Sequence, residues 1–170
     1  SEHDVLERYY QVAVKFGFQH IMRITGDCPL IDPQICEKVI ETYFLEETEF
    51  VHTGSTFAEG LDCEIFSFNA LKEAHFNAEL ELEREHATLY LHHHANHYKK
   101  ISLENDSDDS KYRFTLDQPE DFQVISEIIG KIYLKEFEYY TAKKVKTFLD
   151  QHPKVFNLNS HIIRNEGLKI

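Results

Sequence analysis

Apolar side chains recur at helical spacing from the start of the chain. Val5, Leu6, Tyr9, Val12, Ala13 and Phe16 fall on one face of a 3.6-residue period. Asp4 and Glu7 frame a capping box in front of them, and Gly17 supplies the stop. Phe18 to Ile24 is short and apolar and predicts a strand that ends in the loop Thr25-Gly26-Asp27-Cys28-Pro29. Asp32 then predicts a helix cap with Pro33 in the first turn, followed by the stripe Ile35, Cys36, Val39, Ile40, Tyr43 and Phe44. Phe50 to His52 predicts a strand. Leu61 to Phe66 predicts another, with Asp62, Glu64 and Phe66 on one side and Cys63 and Ile65 on the other. Ser67 caps a helix to about Ala78, and a very polar helix is expected from Leu82 to His97. Lys100–Leu103 and Tyr112–Leu116 read as strands around an acidic turn. Asp117-Gln-Pro-Glu-Asp121 opens a helix with Phe122, Ile125, Ile128, Ile129 and Ile132 inward, and Thr141 caps a last helix that ends before Pro153. Strands alternating with helices predict a single α/β domain over residues 1–170, with a mixed, mostly parallel sheet flanked by helices.

Composition changes this picture chiefly through charge. The 170 residues are 42% hydrophobic and 28% charged, a balance that suits one folded domain. No apolar run approaches the roughly 18 residues of a membrane span. The polar, acidic start Ser1-Glu2-His3-Asp4 does not resemble a secretory leader, so a cytoplasmic protein is expected. Lys and Arg number 18 against 30 Asp and Glu, a formal net charge of -12. That sign argues against non-specific nucleic-acid binding. A phosphorylated small molecule would need a cation to bridge acid to acid. The three cysteines, Cys28, Cys36 and Cys63, are expected as reduced thiols. Cys28 lies between Asp27 and Pro29, without the base or cation a nucleophilic thiolate needs.

Two acids stand where ligands bind in open α/β sheets, beyond the carboxyl ends of strands. Asp27 follows Phe18–Ile24, and Asp117 follows Tyr112–Leu116. If the strands are neighbours, the carboxylates converge. Magnesium suits a pair of that kind, because it takes one or two carboxylates and completes its shell with water and phosphate oxygens. The alternative is that both are ordinary turn or N-cap acids.

The segments around these acids resemble a known family. Arg23-Ile-Thr-Gly-Asp27-Cys-Pro-Leu-Ile-Asp-Pro33, Gly60-Leu-Asp-Cys-Glu64-Ile-Phe-Ser-Phe68, Arg84-Glu-His86, Thr115-Leu-Asp-Gln-Pro-Glu-Asp121 and His161-Ile-Ile-Arg-Asn-Glu-Gly167 occur in the family's order. Together they are similar to the spore-coat polysaccharide biosynthesis cytidylyltransferase-like proteins, which belong with the nucleotidyltransferases that form nucleotide sugars. The resemblance implies a Rossmann-like fold of the glycosyltransferase-A type and Mg2+ held by Asp27 and Asp117. The reaction it implies is attack by an oxygen of a sugar or sugar acid on the α-phosphorus of a nucleoside triphosphate, CTP being the expected one, with release of pyrophosphate. It also makes Arg23, Asp62, Glu64, Arg84 and His86 candidate substrate contacts. Asp62 and Glu64 read equally as a solvated strand face, and Arg84 and His86 as parts of an exposed charged helix.

The family pattern opens with a strand and a Gly- and Arg-containing loop that grips the triphosphate. Glycines here stand only at 17, 26, 54, 60, 130 and 167, with no Gly-rich loop. The sequence therefore resembles the family without about its first third, and the chain alone is expected to be weak or inactive. A sheet edge left open would favour self-association, so a homodimer is expected. Two rival functions are a glycosyltransferase that consumes a nucleotide sugar and a non-catalytic docking or dimerisation module. The D-x-D of a glycosyltransferase has one match, Asp106-Ser-Asp108, in an acidic turn. His86, His93 and His97 share a helical face, but neither the Glu of H-E-x-x-H nor a cysteine at ligand spacing accompanies them, so surface histidines are expected.

Overall fold

A computed structural model describes residues 3–94, 99–132, 134 and 138–164. The element order is α1 (Val5–Phe16), β1 (His20–Ile24), α2 (Pro33–Leu45), β2 (Phe50–Thr53), β3 (Cys63–Ser67), α3 (Phe68–Asn77), α4 (Glu81–Glu85), α5 (Leu89–His93), β4 (Lys100–Leu103), α6 (Pro119–Lys131), α7 (Ala142–Gln151) and α8 (Pro153–Phe156). The result is a mixed α/β architecture with a four-stranded sheet in the order β1-β3-β2-β4. The residues group into two compact units. Unit 1 comprises Ser1–Arg23, Val39–His52 and Glu64–Leu103, and unit 2 comprises Ile24–Lys38, Thr53–Cys63 and Glu104–Ile170. No helix among the described residues is long and apolar enough to cross a membrane.

Unit 1 carries the sheet and a core drawn from α1, β2, β3, α3 and α5. Leu6, Ala13, Phe50, Phe66, Ala70, Leu71, Ala74, Tyr90 and Leu91 are all buried there. Helix α1 starts where the sequence predicts, with Asp4 Oδ1 accepting from the Glu7 N–H at 2.9 Å. It ends at Gly17, whose φ of 68° is the left-handed conformation that glycine adopts at low cost. Ser67 caps α3 by accepting from the Ala70 N–H at 3.0 Å.

Four features depart from the sequence pattern. First, β2 and β3 pair antiparallel, with Phe50 opposite Phe66 and His52 opposite Glu64. The connection between them, residues 54–62, contains no helix. A parallel pair needs a longer crossover, usually helical. Second, Tyr112–Leu116 forms one parallel bridge, Arg113 with Glu59, in place of a strand ladder. Third, the polar helix expected over 82–97 is two short helices, α4 and α5. The break at His86 lets Ala87, Thr88, Leu89, Tyr90 and Leu91 all reach the interior. His97 lies outside the described residues. Fourth, α6 buries Asp121, Val124, Ile125 and Ile128, which leaves Phe122 63% exposed and Ile129 outside as well. Ile125 and Ile128 face inward as expected, and Asp121 and Val124 join them in place of Phe122 and Ile129.

Unit 2 uses one carboxylate to cap two helices. Asp32 Oδ1 accepts from the Gln34 N–H of α2 at 2.9 Å, and its Oδ2 accepts from the Ala142 N–H of α7 at 2.8 Å. A single N-cap is worth about 1 kcal/mol. Asp32→Ala is therefore expected to cost about 2 kcal/mol, read as a lower urea midpoint at unchanged m-value. A shift within experimental error would show that the two caps carry no stability.

Candidate functional site

The loop after β1 is anchored from below by buried Cys28 and Leu30. The Cys28 N–H donates to Thr25 O at 3.2 Å and the Ile31 N–H to Cys28 O at 3.2 Å, so Asp27 sits in a tight turn. The Cys28 thiol lies 3.0 Å from Thr25 Oγ1. Burial, together with the charges of Asp27 and Asp62, pushes that thiol up to about 12 despite the hydrogen bond to Thr25. A thiol so disposed is no nucleophile at neutral pH, in keeping with the sequence.

The second acid is tied to the same loop. The Leu116 N–H donates to Asp27 O at 2.8 Å. Thr115 Oγ1 stands 3.2 Å from Asp27 O and 3.3 Å from Asp117 Oδ2, so its single hydrogen is shared between them. The backbone before Asp117 is held from its other side by residues 59–60. The Glu59 N–H donates to Tyr112 O at 3.1 Å, and the Phe114 N–H to Glu59 O at 2.7 Å. Gly60 makes this approach possible. Its φ is 90°, and a Cβ there would stand 2.4 Å from the Thr115 backbone nitrogen.

Asp62 enters the same unit from the 59–62 turn. Its Oδ2 accepts from the Gly60 N–H at 2.9 Å, and its Oδ1 accepts from Arg164 Nη2 at 2.7 Å. Arg164 also donates to Phe57 O at 2.9 Å and Ser55 O at 3.3 Å. The His161–Gly167 block, whose role the sequence leaves open, thus provides through Arg164 a clamp on the 55–62 loop.

The sequence pattern gives no hint of the cluster behind Asp117. Arg113, only 7% exposed, grips the fully buried Asp121 with a two-pronged fork, Nε to Oδ1 at 2.9 Å and Nη2 to Oδ2 at 3.0 Å. Its Nη1 donates to Glu59 Oε2, and Nη2 also reaches Asp117 Oδ2 at 2.9 Å. Asn159 Nδ2 closes the cluster on Asp121 Oδ1 at 2.9 Å and on Arg113 O at 3.1 Å. Asp121 Oδ2 accepts from the N–H groups of Gln118 and Asp117, which start α6. Only the acid itself carries a local signal: an acidic residue three positions after the helix start marks a capping position.

The remaining candidates belong to unit 1. Arg23 Nη1 donates to Glu64 Oε2 at 3.0 Å, and His92 Nε2 lies 2.8 Å from Glu64 Oε1. Glu64 is 8% exposed, so it does not lie on a solvated strand face. Burial works to raise its pKa. The hydrogen bond and charge of His92, the charge of Arg23 and a hydrogen bond from Thr88 outweigh that and hold the carboxyl at about 2. Asp62 precedes β3 and belongs to unit 2, so the two acids do not share a strand face as expected. Arg84 ties helices together. It donates to Asp4 Oδ2 through Nε and Nη2 at 3.0 and 2.6 Å, and to His75 O at 2.7 Å. His86 ends α4, its N–H donating to Leu82 O and its carbonyl accepting from the Leu89 N–H. His93 pairs with buried Glu83 at 2.8 Å. Among the described residues, no three His, Cys, Asp or Glu side chains are arranged to hold a metal ion by themselves.

The sequence profile of the cytidylyltransferases matches residues 1–146. The chain belongs to the cytidylyltransferase family. It is 32% identical over 166 residues to an uncharacterized protein of Methanocaldococcus jannaschii, covering 95% of this chain and 66% of that protein. It is 28% identical over 156 residues to the spore coat polysaccharide biosynthesis protein SpsF of Bacillus subtilis, covering 90% of this chain and 64% of that one. The structure matches a cytidylyltransferase from Leptospira borgpetersenii with a TM-score of 0.83 at 30% identity, over 91% of this chain and 65% of the other. The chain thus spans just under two thirds of the length of these relatives. Membership in the cytidylyltransferase family and the α/β fold agree with the resemblance read from the motifs.

Proposed function

We propose that the full-length protein transfers a cytidylyl group from CTP to an oxygen of a sugar or sugar acid, in the biosynthesis of a surface polysaccharide. Family membership supports the nucleotidyl transfer, and the likeness to SpsF supports the polysaccharide context. The observation that carries the reading in the structure is the hydrogen bond from the Leu116 N–H to Asp27 O, which keeps the two acidic loops side by side. In the reaction, the acceptor oxygen forms a bond to the α-phosphorus, the bond from that phosphorus to the α,β-bridging oxygen breaks, and pyrophosphate leaves. The acceptor hydroxyl gives up its proton to solvent or to a nearby base.

The donor set fits magnesium. Asp27 and Asp117 are hard oxygen ligands, both exposed, and two carboxylates leave room for water and phosphate oxygens. Magnesium bound there would offset the triphosphate charge and stabilise the charge that develops on the transferring phosphoryl group. The chain's own part is orientation. Thr115 and the Leu116 N–H hold the Asp27 carbonyl, and Arg113 holds Asp117. Asp62, steadied by Arg164, is the acceptor contact assigned to the same unit. Arg23, Glu64, Arg84 and His86 are assigned to substrate only through the family resemblance. Of the Asp-x-Asp of the rival glycosyltransferase, the Asp108 carboxylate is engaged within its own turn, its Oδ1 accepting from the Ser110 N–H at 3.0 Å.

Asp117→Asn in the full-length protein is expected to weaken Mg-dependent CTP binding at least tenfold in calorimetry, with the circular dichroism spectrum unchanged. An affinity equal to that of the unaltered protein would remove Asp117 from the site.

A further inference from the structure

We infer that Arg113 is the positioning residue of Asp117, and that it determines which oxygen of that carboxylate faces a ligand. The inference rests on the reading of Asp117 as a metal-holding acid. Arg113 is buried and cannot swing, because Asp121 takes its Nε–Nη2 fork, Glu59 takes Nη1 and Asn159 holds its carbonyl. Its own backbone is fixed through the bridge to Glu59. From this rigid base Nη2 reaches Asp117 Oδ2, the same oxygen that Thr115 Oγ1 approaches. Both contacts therefore fall on Oδ2, and among the described residues none falls on Oδ1.

Charge points the same way. One guanidinium meets three carboxylates, of Glu59, Asp117 and Asp121. Asp121 is sealed and Glu59 nearly so, whereas the Asp117 side chain is 42% exposed. Of the three carboxylates, that of Asp117 is therefore the one that solvent and a cation can reach. A lysine could not do the same work, because an ammonium is a single point charge and lacks the planar fork that grips Asp121 while touching Asp117.

A double-mutant cycle on the full-length protein tests this, read by Mn2+ titration with electron paramagnetic resonance and requiring no turnover. In the unaltered background Asp117→Asn is expected to weaken Mn2+ binding at least tenfold. In the Arg113→Lys background the same change is expected to weaken it less than threefold, because Asp117 is no longer held. Equal losses in the two backgrounds would overturn the positioning role and leave the metal assignment standing. No loss in the unaltered background would overturn the metal assignment and this inference with it. If Arg113→Lys unfolds below the assay temperature, Arg113→Gln combined with Asp121→Asn takes its place. That pair leaves no lone charge against Asp121, and the same criterion applies.

Discussion

Replacing Asp121 by alanine is expected to destabilise the protein by about 3–5 kcal/mol, the range seen when one partner of a buried ion pair is removed. Asp121 is fully buried, and burial alone would raise its pKa. Hydrogen bonds from Arg113, Asn159 and the N–H groups of Gln118 and Asp117 outweigh that and hold its carboxyl below the usual carboxylate range, so it is ionised in the folded protein. Its removal leaves three kinds of group stranded. Arg113 keeps Glu59 and Asp117 but loses its two-pronged partner. The N–H groups of Asp117 and Gln118 lose their acceptor at the start of α6. Asn159 Nδ2 keeps Arg113 O and loses its carboxylate partner. Asp121→Asn retains the volume and one acceptor oxygen, so it is expected to cost about half as much. Urea unfolding at neutral pH measures both. A loss under about 1 kcal/mol for the alanine variant would show that the cluster is solvated enough to dispense with its central acid.

The same cluster marks the boundary between what a single sequence makes legible and what it hides. Helices with a local stop or start are legible. Asp4, Gly17, Asp32, Ser67 and Thr141 act within one turn of the chain, and each stands at the helix end where it is expected. The two acids are legible as loop acids because each lies between a short apolar stretch and a helix start, Asp27 in the loop from β1 to α2 and Asp117 just ahead of α6. Arg113 is not, because its partners lie 4, 8 and 54 residues away and a lone arginine in an apolar stretch has no period. The inward face of α6 departs from expectation for a related reason. Phe122 and Ile129 are apolar and in phase, and hydrophobicity alone favours them. Asp121, which faces inward, is chosen by an arginine that pattern cannot connect to it. Arg84 departs in the opposite direction. Its setting in Arg84-Glu-His86 suggests substrate, while its long-range partner Asp4 is 80 residues away. Motifs report local chemistry well, but long-range ion pairs leave little trace in a single sequence.

Acid is expected to strip stability from unit 1 through Glu64. The folded carboxyl lies at about 2, against an ordinary value of 4.5. A depressed carboxylate pKa adds stability that is fully present above the ordinary value and is lost as pH falls through the folded one. The shift corresponds to a contribution on the order of 3 kcal/mol for a group this well buried. It is carried by the pairing with His92 and Arg23, at 2.8 and 3.0 Å. Glu64→Gln keeps the shape of the side chain and removes its charge. The difference in unfolding free energy between the two proteins is therefore expected to hold steady from pH 7 to about 5. It should fall by about half near pH 3 and largely vanish by pH 2. Urea titrations at these pH values measure it directly, and the comparison cancels the other carboxylates, which titrate in both proteins. A difference that stays constant down to pH 3 would mean that Glu64 gains nothing from its charge in the fold.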